Sequence, residues 1–111
     1  MTELLPFLKS LLSVSGLSGF EGPVAQLIEE KWRPLVDEIS LSRIGSLHGL
    51  KKGSGREPRP SLMIATHMDT IGLRVSHIQD GYLHVTNIGG IAVLEGVNVM
   101  LAVQDGVIDG V

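Results

Sequence analysis

The chain of 111 residues contains no cysteine. That absence excludes disulfides, thiolate catalysis and zinc–cysteine sites, and it suits a cytoplasmic protein. An excess of positive charge is also missing, since nine Lys and Arg face twelve Asp and Glu for a net charge of -3. No block of basic residues supplies an electrostatic footprint for nucleic acid or an anionic membrane, so neither partner is expected. Long apolar runs are lacking as well: none reaches the roughly 18 residues of a membrane span. The greasy start MTELLPFLKSLLSVSG carries Glu3 where a signal peptide has a basic region, and Lys9 interrupts it. What remains, 43% hydrophobic and 19% charged residues, is the balance of a globular protein and not of a disordered tail.

Leu4, Leu8 and Leu11, with Leu5, Phe7 and Leu12 beside them, recur at helical spacing and predict an amphipathic helix ended by Gly16. Ser18, followed three residues later by Glu21, reads as a capping box. It opens a second helix with the stripe Val24, Leu27, Ile28 and Trp32, which Pro34 stops near Arg33. Ile39 and Leu41 then alternate with polar residues, and Ile44-Gly45 looks like a turn into a strand at Leu47 to Leu50. The charged, Gly- and Pro-rich stretch KKGSGREPRP predicts an exposed loop. Leu62 to Ala65 is apolar on both faces, as expected of a strand buried in a sheet covered by helices. To this point the pattern is α/β.

After Gly72 the helical signals vanish. Asp80-Gly81 is a two-residue hairpin turn, and Asp105-Gly106 and Asp109-Gly110 repeat its chemistry. Residues 1–72 are therefore expected to form an α/β part, and residues 73–111 a separate small β-domain nearly free of helix.

Within SLMIATHMDTIGL, His67 and Asp69 stand two positions apart. Four His and five Asp in this chain give roughly 0.2 His-x-Asp pairs by chance, so the bare motif is weak. Its position adds weight, because ligands of α/β sheets collect at the carboxyl ends of strands. Residues two apart in extended backbone point to the same side, so the Asp69 carboxylate can approach the His67 ring or a shared metal. A metal-bound imidazole usually gives its other N–H to a carboxylate or carbonyl. The same spacing fits a strand-end histidine bonded to a local acceptor, with Asp69 beginning a turn, and spacing alone leaves both readings open.

Three strings, SGLSGFEGPVAQLIEE, VDEISLSRIGSLHGLKKG and MIATHMDTIGLRVSHIQDGYLHVTNIGGI, together resemble the beginning of the glutamyl and leucyl aminopeptidases of metallopeptidase family forty-two. The likeness covers essentially the whole chain, with VLEGVNVMLAVQDGVIDGV resembling the middle of that family's β-domain. It implies the start of a phosphorylase/hydrolase-like α/β aminopeptidase domain, followed by the first part of an inserted β-barrel-like domain. It also implies two divalent metal ions, zinc or cobalt, that activate water to remove amino-terminal residues from peptide substrates. Copies would assemble into a homo-oligomer. His67 matches the family's first metal ligand, and Asp69 matches the acidic residue of the catalytic site that orients it. The other ligands and the general base would lie beyond Val111, so the chain alone is expected to be inactive.

Two positions depart from the family pattern: Thr70 stands where Glu is common, and SRIGS, with Ser42 and Ser46, replaces an Asp-Arg-x-Gly-Asn turn. Other candidates have plainer accounts. A turn at Asp80-Gly81 puts His77 across from His84, a pair that fits a solvated face because no third ligand is apparent. His48 reads as exposed, Trp32 as a packing residue, Glu29 and Glu30 as a solvated helix face, and Gly89-Gly90 as a turn or bulge without dinucleotide context. The alternative to an aminopeptidase is a non-catalytic β-rich binding or oligomerisation module without a functional metal site.

Overall fold

The leucine spacing does produce a first helix, α1, over Leu4–Ser13, in a computed structural model that describes residues 4–92, 99–103 and 106–109. Near its end the Ser13 hydroxyl turns back to bond the Lys9 carbonyl at 2.8 Å, one turn earlier, a back-bond serine commonly makes within a helix. Helix α2 spans Gly22–Trp32 with Pro23 in its first turn, where a missing N–H costs nothing. Its C-cap is Arg33, whose amide bonds the Glu29 carbonyl, so the helix stops where Pro34 dictates. Lys31 of α2 places its ammonium 5.7 Å from the centre of the Phe7 ring of α1.

A capping box does not form. The N-cap of α2 is Glu21 itself, in helical conformation and without a side-chain cap. Its carboxylate instead accepts the Gly19 amide at 2.6 Å, and Ser18 turns away from the helix to a different partner, described below.

Strands β1, Glu38–Leu41, and β2, Leu47–Leu50, form an antiparallel hairpin with Glu38 opposite Leu50 and Leu41 opposite Leu47. Gly45 at φ +85° supplies the turn. Ser42 and Ser46 close it through a backbone bond of 2.9 Å, and the Ser46 amide donates to the Ser42 hydroxyl at 3.0 Å. Residues 51–60 are exposed and without regular structure, as their composition predicts.

The expectation of a buried strand at 62–65 is overturned. Residues 61–69 carry no regular structure, and Leu62, Met63 and Ile64 are 87%, 87% and 83% exposed. A strand exists only by pairing its amides and carbonyls, and every described strand of this chain is already paired within a hairpin. Apolar composition identifies a segment suited to burial without specifying its cover.

The chain divides into two units, Met1–Asp69 and Thr70–Val111. In the second, β3, Gly72–Gln79, pairs antiparallel with β4, Tyr82–Ile88. Asp80 at φ 53° and Gly81 at φ 83° make the two-residue turn. A bulge between Val75 and His77 shifts the register before His77 meets His84. Strands β5, Met100–Val103, and β6, Gly106–Asp109, form a third hairpin, with Val103 opposite Gly106. Asp105 and Gly110, and with them the full turns expected at 105–106 and 109–110, lie outside the described residues. Gly89 is at φ 80°, in a bend that closes on Ile91. Among the described residues there is no helix beyond 72, and no described helix is long and apolar enough to cross a membrane.

Candidate metal-ligand site at His67 and Asp69

Val24 of α2 is the one buried apolar side chain among the described residues, at 4% exposure. Gly16 lies directly against it: a Cβ built on Gly16 would stand 2.5 Å from Val24 Cγ2 and 3.6 Å from the Met68 carbonyl oxygen. The absence of a side chain at 16 thus lets the segment leaving α1 run beside both α2 and residue 68. Two residues on, the chain turns, with the Phe20 amide bonded to the Leu17 carbonyl at 2.7 Å and Gly19 at φ 87°.

That turn brings Ser18 to Asp69, 51 residues later, and its hydroxyl donates to Asp69 Oδ2. The other carboxylate oxygen, Oδ1, lies 3.1 Å from His67 Nδ1, and the Asp69 carbonyl oxygen lies 3.0 Å from the same nitrogen. Both partners of Nδ1 are acceptors, so that nitrogen carries the proton and the lone pair sits on Nε2. Mixed satisfaction of one N–H by two oxygens also fixes the ring plane. The side chain of His67 is 86% exposed and that of Asp69 37%. Ser18's hydrogen bond holds the Asp69 carboxyl below the usual carboxylate range. Burial opposes it as the next-largest effect, and His67 and Asp69's own backbone amide then act in the same direction as Ser18. Asp69 is therefore an anion, and an anion on Nδ1–H makes Nε2 a better donor to a cation.

These features fit one ligand of a metal ion and its orienting carboxylate. They do not complete a metal site, since no group of three or more His, Cys, Asp or Glu is placed to hold an ion among the described residues.

The second histidine pair is where the hairpin rules put it, with His77 opposite His84 and Gln79 opposite Tyr82. The rings stack with centroids 4.2 Å apart and planes 9° from parallel. Imidazole lone pairs lie in the ring plane, so two stacked rings direct them along separate planes and not toward a common ion. Ser76, the bulged residue, bonds the His84 carbonyl at 2.9 Å and His77 Nδ1 at 3.2 Å. His48 is exposed on β2, and Trp32 packs on Gly49 of that strand. Glu29 pairs with Arg33 one turn along α2, on its solvated side.

The sequence reading missed the Ser18–Asp69 contact because Ser18 sits where an N-cap belongs. The available signal was the pair of glycines around it, Gly16 and Gly19, which mark a close approach and a left-handed turn more than a helix start.

Residues 45–111 match the family model described as M42 glutamyl aminopeptidase. Over 110 residues the chain is 32% identical to a putative aminopeptidase of Acetivibrio thermocellus, covering 98% of this chain and 32% of that protein. It is 37% identical over 86 residues to the lysyl aminopeptidase of Pyrococcus furiosus, covering 76% of this chain and 24% of the relative. To the glutamyl aminopeptidase of Lactococcus lactis it is 35% identical over 89 residues, with 79% of this chain and 25% of the relative covered. The crystal structure of a TET aminopeptidase from the marine sediment archaeon Thaumarchaeota archaeon SCGC AB-539-E09 superposes with a TM-score of 0.85 at 32% identity. That match covers 97% of this chain and 30% of the other. The mixed helix and strand content thus has a close counterpart, and the chain spans about a third or less of the length of the proteins it matches.

Proposed function

The chain belongs to the M42 glutamyl aminopeptidase family, and we propose that the complete protein is a metal-dependent aminopeptidase in which His67 is a metal ligand and Asp69 orients it. The observation that carries this reading is the anchored tautomer of His67: Nδ1 is committed to Asp69 while the ring stands largely exposed, with Nε2 available. Two divalent ions, zinc or cobalt, would supply activated water for attack on the first peptide bond of a substrate.

The work of this chain is to bind and orient. His67 contributes one neutral nitrogen donor through Nε2. Asp69 keeps the Nδ1 proton in place, which prevents the ring from flipping its tautomer or turning out of line. Further ligands and the base that takes a proton from water come, in this proposal, from residues beyond 111, so the chain alone does not hydrolyse peptides. Residues from about 73 onward, whose described strands all pair in hairpins, begin in this proposal the inserted β-barrel-like domain. Cytoplasmic localisation, peptide substrates and assembly into a homo-oligomer belong to the same proposal, supported by the lack of cysteine and by the family.

Replacing His67 with Ala in the complete protein removes a ligand from a site that has few. Elemental analysis should then find at least one metal lost, and turnover of an aminoacyl chromogenic substrate should nearly vanish. Full metal occupancy with full activity in that variant would overturn the assignment.

A further inference from the structure

The Asp69 carboxylate uses its two oxygens on two different partners, His67 Nδ1 at Oδ1 and the Ser18 hydroxyl at Oδ2. A carboxylate held at one oxygen alone swings about its Cβ–Cγ bond, and its hold on an imidazole swings with it. His67 offers no rigid counterweight, since its side chain is 86% exposed. The second hold on the carboxylate is Ser18, which is exposed as well but sits in a turn tied by its own hydrogen bonds.

Ser18 is itself well placed to serve as that hold. Gly19's amide bonds the Glu21 carboxylate at 2.6 Å, the Phe20 amide bonds the Leu17 carbonyl, and Gly16 seats the segment against Val24. Glu21 thus braces the turn, and the Ser18 hydroxyl is released from the helix terminus. A capping rule broken beside a candidate site, with the freed hydroxyl spent on that site's carboxylate, is the pattern expected where function outranks local stability.

We propose that Ser18 is a positioning residue of the metal site: its hydroxyl locks the Asp69 carboxylate in the orientation that holds the His67 ring. The inference rests on the reading of His67 as a ligand. Its contribution passes entirely through Asp69.

The test is made on the complete holoprotein, with metal affinity read by chelator competition and the cobalt-substituted site read by its visible absorption spectrum. Ser18→Thr and Ser18→Val have the same shape and differ only in a hydroxyl, so their comparison isolates the hydrogen bond whatever Ser18→Ala does to folding. Loss of Asp69 itself is expected to cost about 10-fold to 100-fold in metal affinity, and loss of its brace a part of that, about 3-fold to 10-fold. Ser18→Val and Ser18→Ala should show that loss with an altered cobalt spectrum, and Ser18→Thr should retain parental values. In an Asp69→Ala background, Ser18→Val should add nothing. Equal affinity and spectra for Thr and Val, or an undiminished Ser18→Val effect without Asp69, would overturn the proposal while leaving His67 a ligand. Unchanged metal binding in His67→Ala would instead remove the reading on which it rests.

Discussion

Trp32 covers Gly49 so closely that a Cβ built on the glycine would stand 2.9 Å from Trp32 Cε3, with Val36 Cγ1 at 3.2 Å. Here the end of α2 seats on β2, and the room for the indole is the missing side chain of Gly49. Gly49→Ala forces the ring outward, an overpacking expected to cost about 1–3 kcal/mol. Trp32 is the single tryptophan of this chain, so its emission in the 111-residue chain should shift to the red as the ring gains water. Unchanged emission and melting would mean that the ring does not depend on that gap.

A parallel relation governs Gly16 and Val24. A methyl at 16 would stand 2.5 Å from Val24 Cγ2, and the conflict cannot be relieved by a flexible side chain, because valine is branched at Cβ. Gly16→Ala should destabilise the protein by about 1–3 kcal/mol, and Gly16→Ala with Val24→Ala should recover part of the loss. Two independent, additive costs in the thermal melts would contradict the contact.

How much of this was legible in the sequence differs residue by residue. Period and punctuation sufficed for α1, for the end of α2 at Pro34, and for the β3–β4 register through Asp80-Gly81, because each is decided within a few residues of chain. Ser18 was misread because a capping box and a tertiary hydrogen bond use the same hydroxyl, and the choice depends on Asp69, 51 residues away. Leu62 to Ala65 was misread for the opposite reason: its pattern states a need for burial that no described part of this chain meets. His67 and Asp69 were legible as a pair from spacing alone, whereas the tautomer required the positions of the carbonyl and carboxylate oxygens.

Asp37 ties the open end of the first hairpin. Its Oδ2 accepts the Lys52 amide at 2.6 Å, and its Oδ1 accepts Lys51 Nζ at 3.1 Å. The amide bond first, then the lysine, hold its carboxyl below the ordinary carboxylate value. A carboxyl with a folded pKa below its unfolded one stabilises the fold above the unfolded value. That stability disappears as pH falls through the folded value. An NMR titration should therefore find the Asp37 midpoint below the 3.8 of a free side chain. Lys51→Ala should bring it only part of the way back, since the backbone donor remains. A midpoint at or above the free value would refute the tie.

The hairpin histidines make a contrasting prediction. Stacked at 4.2 Å, His77 and His84 do not direct lone pairs to a common point. His77→Ala and His84→Ala in the complete protein should leave metal content and activity as they are, whereas Asp69→Asn should lose about 10-fold to 100-fold in metal affinity or activity. Metal lost from the hairpin variants alone would move the site away from His67.

Leu62, Met63 and Ile64 expose most of their surface although their composition is that of a buried strand. Three contiguous apolar side chains beside unpaired backbone favour contact with whatever else is apolar and extended. The 111-residue chain by itself should therefore bind a hydrophobic dye and self-associate as its concentration rises. Ile64→Asp places a charge at the centre of the patch and should reduce both effects in this chain. In the complete protein the same substitution should have the opposite value, lowering stability by several kcal/mol, because there the charge would enter an apolar layer without a partner. The sign reversal distinguishes a segment made to be covered from one that is merely greasy. A monomeric 111-residue chain that melts cooperatively and ignores the dye, or a complete protein indifferent to Ile64→Asp, would show that residues 62–65 need no cover.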